Sequence, residues 1–382
     1  MDIDVIKFGG SSLSNNLNLN IAANKILKIK SKNKSKIVVI VSAQGSTTNE
    51  LLKEAKELAA YPNKRELDAL LSIGEQKSAS KLAIILTRMG YKAISLNAMQ
   101  IGIYTDDNYN NSKITYINKN RIINELKNDN IVIITGFQGI DKNNNFTTLG
   151  RGGSDTTAVA IASVLNANNC FICSDVDGIY DVDPKKYPDA KCYKTISYNL
   201  METAAFSGAK VMHERCINIA RKSNLNIRAI STFNDNDGTI IKDEIEKVEI
   251  KNIVKNDSLL LITISINNDF DKSLLIEELI KNSIKIEYIK INKKSVLLVM
   301  NNMNFEEFKQ YIEEKNYKFN CKRISKITYI GNEIQSDKKI MQTIFDKLMN
   351  KNKLLFFTVD NIKITFYFKE IIWWNNYFRS WI

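Results

Sequence analysis

The sequence predicts an α/β protein: an open, mostly parallel sheet sandwiched by helices, followed by tandem βαββαβ units of which the second is incomplete. Three observations carry this reading. Short apolar runs alternate with helical patterns over residues 1–242, the order expected of βαβ units in a parallel sheet. Those runs end on small, hydroxyl-rich or glycine-rich loops, where open α/β sheets collect their ligands. Beyond a charged stretch at 243–257 the pattern changes to strands paired around single helices.

The first strand, 4–8, ends on Gly9-Gly10-Ser11-Ser12. Lys7 beside a glycine pair can place an ammonium over phosphate oxygens while the glycine backbone closes in; the alternative is a solvated lysine at a strand end. No Walker loop occurs in the chain. A helix at 21–30 and the strand Lys36–Val41 follow, and the strand stops at a loop running from Ser42 to Thr48. Leu51, Leu52, Ala55, Leu58 and Ala59 mark one face of the next helix. A helix carrying Leu67, Leu70 and Leu71 reaches Gly74-Glu75-Gln76, and a further helical run continues to Arg88 with Gly90 as its C-cap. Glu75 could bind a substrate ammonium or sit on an exposed helix face.

Strands at 92–96 and Ile131–Thr135 flank a polar segment, and Gly136-Phe137-Gln138-Gly139 closes the second of them. An Asn-rich turn at 141–145 then leads into Thr147-Thr148-Leu149-Gly150-Arg151-Gly152-Gly153-Ser154-Asp155-Thr156-Thr157. The glycines allow close backbone approach, and Ser154, Asp155 and the two threonines are expected to supply the N-cap and first turn of an Ala-rich helix. Such a helix start suits an anion, and Arg151 can take a carboxylate or phosphate in bidentate fashion. An ordinary capped loop is the alternative. The strand 170–173 ends on an acidic loop, 174–185, whose carboxylates could hold a ribose or a magnesium-bound water, with Tyr180 over a base; a plain acidic turn is the other reading. Lys7, Ser42, Gly136, Gly152 and Asp175 all fall at or beyond strand ends, so they are expected to share one site. Residues 207–213 precede a helix at 215–222, and strands at 226–231 and 238–241 finish the unit. Residues 258–323 then spell βαββαβ, a ferredoxin-like unit. A second begins at 324 and stops short of its second helix and last strand, with an aromatic tail over 371–382 in their place.

Composition narrows the function classes. The 54 basic residues exceed the 42 acidic ones, giving a formal charge of +12, but the lysines are interleaved with Asn and Ile and form no stripe. This argues against nucleic-acid binding and leaves a field that favours anionic substrates. No apolar run reaches membrane-spanning length and no signal peptide is visible, so a cytoplasmic protein with no membrane association is expected. Five scattered cysteines suit a reducing compartment, and Cys170 and Cys173, lying in a strand, are expected as buried structural thiols. His213 is the only histidine, which argues against His-rich zinc sites and a Ser-His-Asp hydrolase.

Seven motifs in one order resemble the aspartate kinases of the amino-acid kinase superfamily. They are Lys7-Phe8-Gly9-Gly10-Ser11-Ser12; Val41-Ser42-Ala43 with Thr47-Thr48; Gly74-Glu75-Gln76; Gly136-Phe137-Gln138-Gly139; Gly150 to Asp155; Asp175-Val176-Asp177-Gly178-Ile179-Tyr180 with Asp183-Pro184; and Gly208-Ala209-Lys210-Val211-Met212-His213. The resemblance implies ATP- and Mg²⁺-dependent phosphorylation of the L-aspartate side-chain carboxylate to an acyl phosphate, toward lysine, threonine and methionine. It implies that Lys7 neutralises the transferring phosphoryl group, with Gly9, Gly10 and Ser11 at phosphate oxygens and Asp155 orienting Lys7 or a magnesium-bound water. Ser42, Thr48, Glu75, Arg151, Gly152, Gly153 and Ser154 would bind aspartate, Glu75 at its ammonium and Arg151 at a carboxylate. Ser174, Asp175, Tyr180, Asp183, Lys185 and Lys210 would line the nucleotide site. Domains are expected at 1–242, 258–323 and 324–382 with a linker at 243–257, the last two similar to ACT domains that bind lysine or threonine as effectors in a homodimer or higher homo-oligomer. Departures from the family pattern are Lys185 for an arginine, Glu214 for a proline, Lys338-Lys339 for a Pro-Gly, and the tail 371–382. A carboxylate is already a nucleophile, so such a reaction needs in-line positioning and charge neutralisation rather than a tuned general base.

Overall fold

The computed structural model describes residues 1–185, 189–207, 212, 214–243, 250–282, 284–331, 334–349 and 353–369. The chain sorts into two units, Met1–Glu246 and Lys247–Ile382.

In the first unit the elements run β1 (Ile3–Phe8), α1 (Asn16–Asn33), β2 (Lys36–Val41), α2 (Thr47–Leu58), α3 (Lys64–Leu71), α4 (Ile73–Arg88), β3 (Ala93–Leu96), α5 (Ala98–Ile101), β4 (Ile103–Thr105), β5 (Ile114–Ile117) and α6 (Asn120–Lys127). They continue with β6 (Ile131–Thr135), β7 (Gln138–Ile140), β8 (Phe146–Thr148), α7 (Gly153–Leu165), β9 (Asn169–Ser174), β10 (Thr195–Ser197), α8 (Tyr198–Ser207), α9 (Glu214–Lys222), β11 (Ile227–Ser231) and β12 (Thr239–Lys242). An eight-stranded sheet has the order β10-β12-β11-β9-β1-β2-β6-β3, parallel throughout except where β11 meets β12.

β1 is buried on both faces, as a central parallel strand must be. Ile6 and Phe8 pack with Leu19, Ala22, Ala23 and Ile26 of α1 and Ala79, Leu82 and Leu86 of α4. Residues of opposite parity face α7, and Lys7 is among them. Asp4, buried at the opposite end of β1, accepts hydrogen bonds from Asn33 (2.8 Å), Ser35 (2.6 Å) and Asn169 (2.8 Å) and so ties the ends of three elements together. From β1 the chain moves to β2 on one side and returns at β9 on the other. That reversal opens a crevice beyond the carboxyl ends of β1 and β9.

Two local features differ from the sequence reading. The polar segment and the Asn-rich turn contain a second sheet, β5-β4-β7-β8, whose strands of three or four residues are too short to register as alternation. The cap of α7 is Gly152, at φ +67°, not a hydroxyl or carboxylate. Thr156 and Thr157 turn their hydroxyls back onto the carbonyls of Gly152 and Gly153, 3.0 Å each, and Thr157 also accepts the Phe137 N–H at 3.2 Å, tying the helix to the loop after β6.

The second unit runs β13 (Asn252–Ser265), α10 (Asp269–Lys281), β14 (Ile286–Asn292), β15 (Ser295–Asn301), α11 (Asn302–Glu314), β16 (Phe319–Ile330), α12 (Lys338–Met349), β17 (Leu354–Asp360) and β18 (Lys363–Phe368). Its single antiparallel sheet has the order β14-β15-β13-β16-β18-β17. This corrects the expected layout of two consecutive units. β16 is one unbroken strand across the boundary placed at 323, and β13 begins at Asn252, inside the stretch taken for a linker. The two pair along their lengths with a register shift between Asn256 and Leu259, so Asn252 to Asn256 lie beside Lys326 to Ile330. The start of β13 therefore occupies the place of the last strand of the second half. Its polar Lys255, Asn256 and Asp257 hid this strand from a hydropathy reading. The tail over 371–382 lies outside the described residues, as do Lys210 and His213.

One face of this sheet packs Leu260, Ile262 and Ile264 against Leu275 and Leu279 of α10 and Phe308 and Ile312 of α11. The other face is curled: Tyr288, near one edge, packs on Phe356 and Tyr367 near the other, with ring centroids 4.7 and 6.3 Å apart. Within this fold of the sheet Lys326 and Glu287 form a buried ion pair at 2.7 Å.

Candidate active site

The carboxyl ends of β1, β2, β6 and β9 bring most of the motif residues together. Lys7, buried by its position in β1, extends to Asp155 in the first turn of α7, Nζ to Oδ1 2.5 Å. Gly9 follows directly and donates its N–H to the Cys173 carbonyl at 3.3 Å, so it lies along the end of β9. A side chain there would begin 3.6 Å from the Lys7 ammonium. At Gly10 the constraint is harder: a Cβ would stand 2.8 Å from the Ala43 carbonyl oxygen, and the Gly10 carbonyl accepts from Gly45 at 3.0 Å. The turns after β1 and β2 are thus interlocked, and Gln44, donating to Leu13 (2.7 Å) and accepting from Lys81 (3.0 Å), holds the junction. Ser12 and Thr232 share a hydrogen bond at 2.7 Å, which brings in the end of β11. Ser11 is exposed beside them.

Glu75 is where the sequence left two readings, and it is not on an exposed helix face. It is buried in the first turn of α4, where Oε1 accepts the Ala43 N–H at 3.0 Å. Oε2 is buried with no hydrogen-bond partner among the described residues. Burial pushes its pKa up to about 8, against the pull of that backbone bond. Gly74 allows the approach, since a Cβ would lie 2.7 Å from that of Ala43. Ser42, donating its N–H to Phe8 O at 3.1 Å, and Thr48, in the first turn of α2, are half-buried nearby in the chain. Ser154 is buried against Gly136, where a Cβ would lie 2.7 Å from the serine Cβ. Arg151 stands exposed between Gly150 (φ +72°) and Gly152 (φ +67°).

The acidic loop forms a second cluster. Ser174 accepts from Val176 at 3.0 Å, Lys185 pairs with Asp175 at 2.6 Å, and Asp183 accepts the Lys185 N–H at 3.0 Å. The pairing lowers the Asp175 pKa and raises that of Lys185. Tyr180 donates to Asp177, which also accepts from Asn236 at 2.6 Å and titrates below its ordinary range as a result. Two aspartates organise the surroundings: Asp181 of the acidic loop, and Asp68, which the sequence reading did not single out. Asp181, buried, accepts the N–H groups of Val182 and Lys191 at 2.9 Å each. Asp68, buried on α3, accepts from the Thr148 N–H (2.8 Å), the Thr148 hydroxyl (2.6 Å) and the Asn110 N–H (2.9 Å). A single aspartate on a short helix gives no sequence signal of such a role.

The model of the amino acid kinase family matches residues 2–231. Aspartokinase 2 of Bacillus subtilis (strain 168) is 32% identical over 371 residues, covering 93% of this chain and 90% of that one. The aspartokinase of Bacillus sp. (strain MGA3) is 39% identical over 267 residues, covering 69% of this chain and 65% of the relative's length. Among solved structures, E. coli aspartokinase III in complex with aspartate and ADP has a TM-score of 0.80 at 20% identity, with 96% of each chain covered. The chain belongs to the amino acid kinase family, and within it to the aspartokinases.

Proposed function

We propose that this protein transfers the γ-phosphoryl group of ATP to the side-chain carboxylate of L-aspartate, giving 4-phospho-L-aspartate, the first step toward lysine, threonine and methionine. The observation that carries the proposal is the pairing of one cation with one orphaned acid: Lys7 held by Asp155 at the strand ends, and Glu75 buried with an unpartnered oxygen. An ammonium entering beside Glu75 would satisfy that oxygen and draw the carboxyl into its ionised form. Arg151 would take a substrate carboxylate, with Ser42, Thr48, Gly152, Gly153 and Ser154 completing the pocket. The remaining carboxylate would then be directed toward Lys7.

Both reactants are anions, so the chief barrier is electrostatic. Lys7 would neutralise charge on the transferring group, and Gly10 and Ser11 would offer backbone N–H groups to phosphate oxygens, with Gly9, its own N–H held by Cys173, leaving room for their approach. Ser174, Asp175, Tyr180, Asp183, Lys185 and Lys210 are proposed to hold the nucleotide, Tyr180 covering the base. Among the described residues no group of three or more His, Cys, Asp or Glu is placed to hold a metal ion. One carboxylate, Asp155, beside a lysine fits a magnesium ion that arrives on phosphate oxygens and keeps most of its waters. Bound there, it would add positive charge to the phosphates. The second unit is proposed to bind lysine or threonine as a feedback effector, in a homodimer or higher homo-oligomer.

The test is trapping of the acyl phosphate by hydroxylamine, with aspartate and glutamate compared and lysine and threonine each added. Lys7→Ala is expected to lower turnover by at least about a thousandfold with an unchanged circular dichroism spectrum. Near-normal turnover by that variant, or an equal rate with glutamate, would overturn the proposal.

A further inference from the structure

Arg151 sits in a tight turn closed by the Gly153 N–H on the Gly150 carbonyl at 3.0 Å, between two glycines in the left-handed region. Where that turn stands in the fold is set by what grips the chain on either side. The grip upstream comes from Asp68. One carboxylate oxygen takes the Thr148 hydroxyl, and the other takes the N–H groups of Thr148 and Asn110. Asn110, itself at φ +69°, has its carbonyl oxygen 2.9 Å from where a Cβ of Gly150 would stand, so the loop it belongs to abuts the glycine. Arg215 of α9 adds a second anchor, donating to the Leu149 carbonyl at 3.0 Å and to Asn111.

Asp68 stands on α3, which passes through Ser72 alone into α4 and Glu75. A parallel tie joins the same junction to β7, where Gln138 donates to the Ser72 carbonyl at 3.0 Å. The α3–α4 junction and the arginine loop are therefore braced against each other by a fully buried carboxylate. Burial raises its pKa even though three donors oppose the shift, so the fold bears a desolvation cost to keep an acceptor there. A group whose only task was to fill space would be apolar.

We infer that Asp68 is a positioning residue for the substrate: by holding Thr148 and Asn110 it sets where Arg151 stands relative to Glu75, and so sets the affinity for aspartate. The inference rests on the proposed roles of Glu75 and Arg151.

The test is steady-state kinetics of full-length variants, with thermal unfolding measured alongside. Asp68→Ala, and more gently Thr148→Val, are expected to raise the aspartate KM about tenfold while kcat at saturating aspartate and the ATP KM change by less than about twofold. Asp68→Asn is expected to recover most of the affinity, because its amide oxygen can accept both N–H groups and its NH₂ can donate to the Thr148 hydroxyl. In an Arg151→Ala background, Asp68→Ala is expected to raise the aspartate KM no further. Should Asp68→Ala fail to fold, Thr148→Val alone and combined with Arg151→Ala carries the same test. An unchanged aspartate KM in the folded variants, an equal loss in kcat and both KM values, or full additivity with Arg151→Ala overturns the inference. An Arg151→Ala variant with normal aspartate KM overturns the underlying reading instead.

Discussion

Burial pushes the pKa of the Glu75 carboxyl up to about 8, against the pull of the Ala43 N–H, which favours its protonated form in the free protein below that pH. In its proposed role at the substrate ammonium Glu75 would bind in the ionised form, so aspartate binding is expected to release a proton below that pH. Aspartate affinity is therefore expected to rise from pH 6.5 to about 8 and then level off. Glu75→Gln should weaken aspartate by at least about tenfold and abolish the rise, as read from the pH profile of kcat/KM. A profile unchanged by the substitution would assign the titration elsewhere. The sign for stability is opposite: the folded state keeps the proton where the unfolded chain, near 4.5, has lost it, so the ligand-free fold weakens from about pH 4.5 to about 8. At this scale the sequence was informative where chemistry sits near glycine at the end of an element: Lys7 at a strand end, Asp155 and Glu75 in the first turns of helices. It was silent on Asp68 and placed Asp181 only among the carboxylates of the acidic loop; the part each plays comes from what the fold places around it.

Elements were legible when they were long and apolar. β1, β2, β6 and β9 declared themselves by composition, and the loops that follow them pointed to a shared crevice from the sequence alone. The strands β4, β5, β7 and β8 did not, being too short and too polar. Nor did the curl of the second sheet, which follows from contacts between Tyr288 and the Phe356–Tyr367 pair that no local pattern encodes. That curl buries the Lys326–Glu287 pair, and burial pulls the lysine pKa down while Glu287 pushes it back up. Removing one partner should cost more than removing both. Glu287→Leu is expected to destabilise the second unit by about 3–5 kcal/mol, and Lys326→Met combined with it to restore most of the loss. Calorimetry of the full chain reads both, and equal destabilisation by the single and double variants would show that the pair contributes nothing as a pair.

For the whole molecule, the proposed feedback control makes a thermodynamic demand that holds whatever route the coupling takes. An effector that weakens aspartate binding by some factor must itself be weakened by aspartate by the same factor, typically about 5–150-fold. Calorimetric titration of lysine or threonine, whichever inhibits in the trapping assay, with and without saturating aspartate, is expected to show that equality. An inhibitor whose affinity ignores aspartate would place its action on turnover alone. Two similar halves of the second unit were legible from the repeated strand and helix pattern, but their interleaving was not. The reason is that β13 and β16 each serve both halves, and a strand used twice looks in sequence like one strand and a linker.

That double use has a consequence for how such a protein can change over generations. Domains strung in series can be cut apart, swapped or lost one at a time, because the joint between them is a dispensable stretch of chain. Here the joint is two hydrogen-bonded strands, each structural on both sides of the boundary. A recombination point or a protease site placed between the halves would sever a ladder shared by both. The second unit is therefore expected to be inherited, and lost, as a whole.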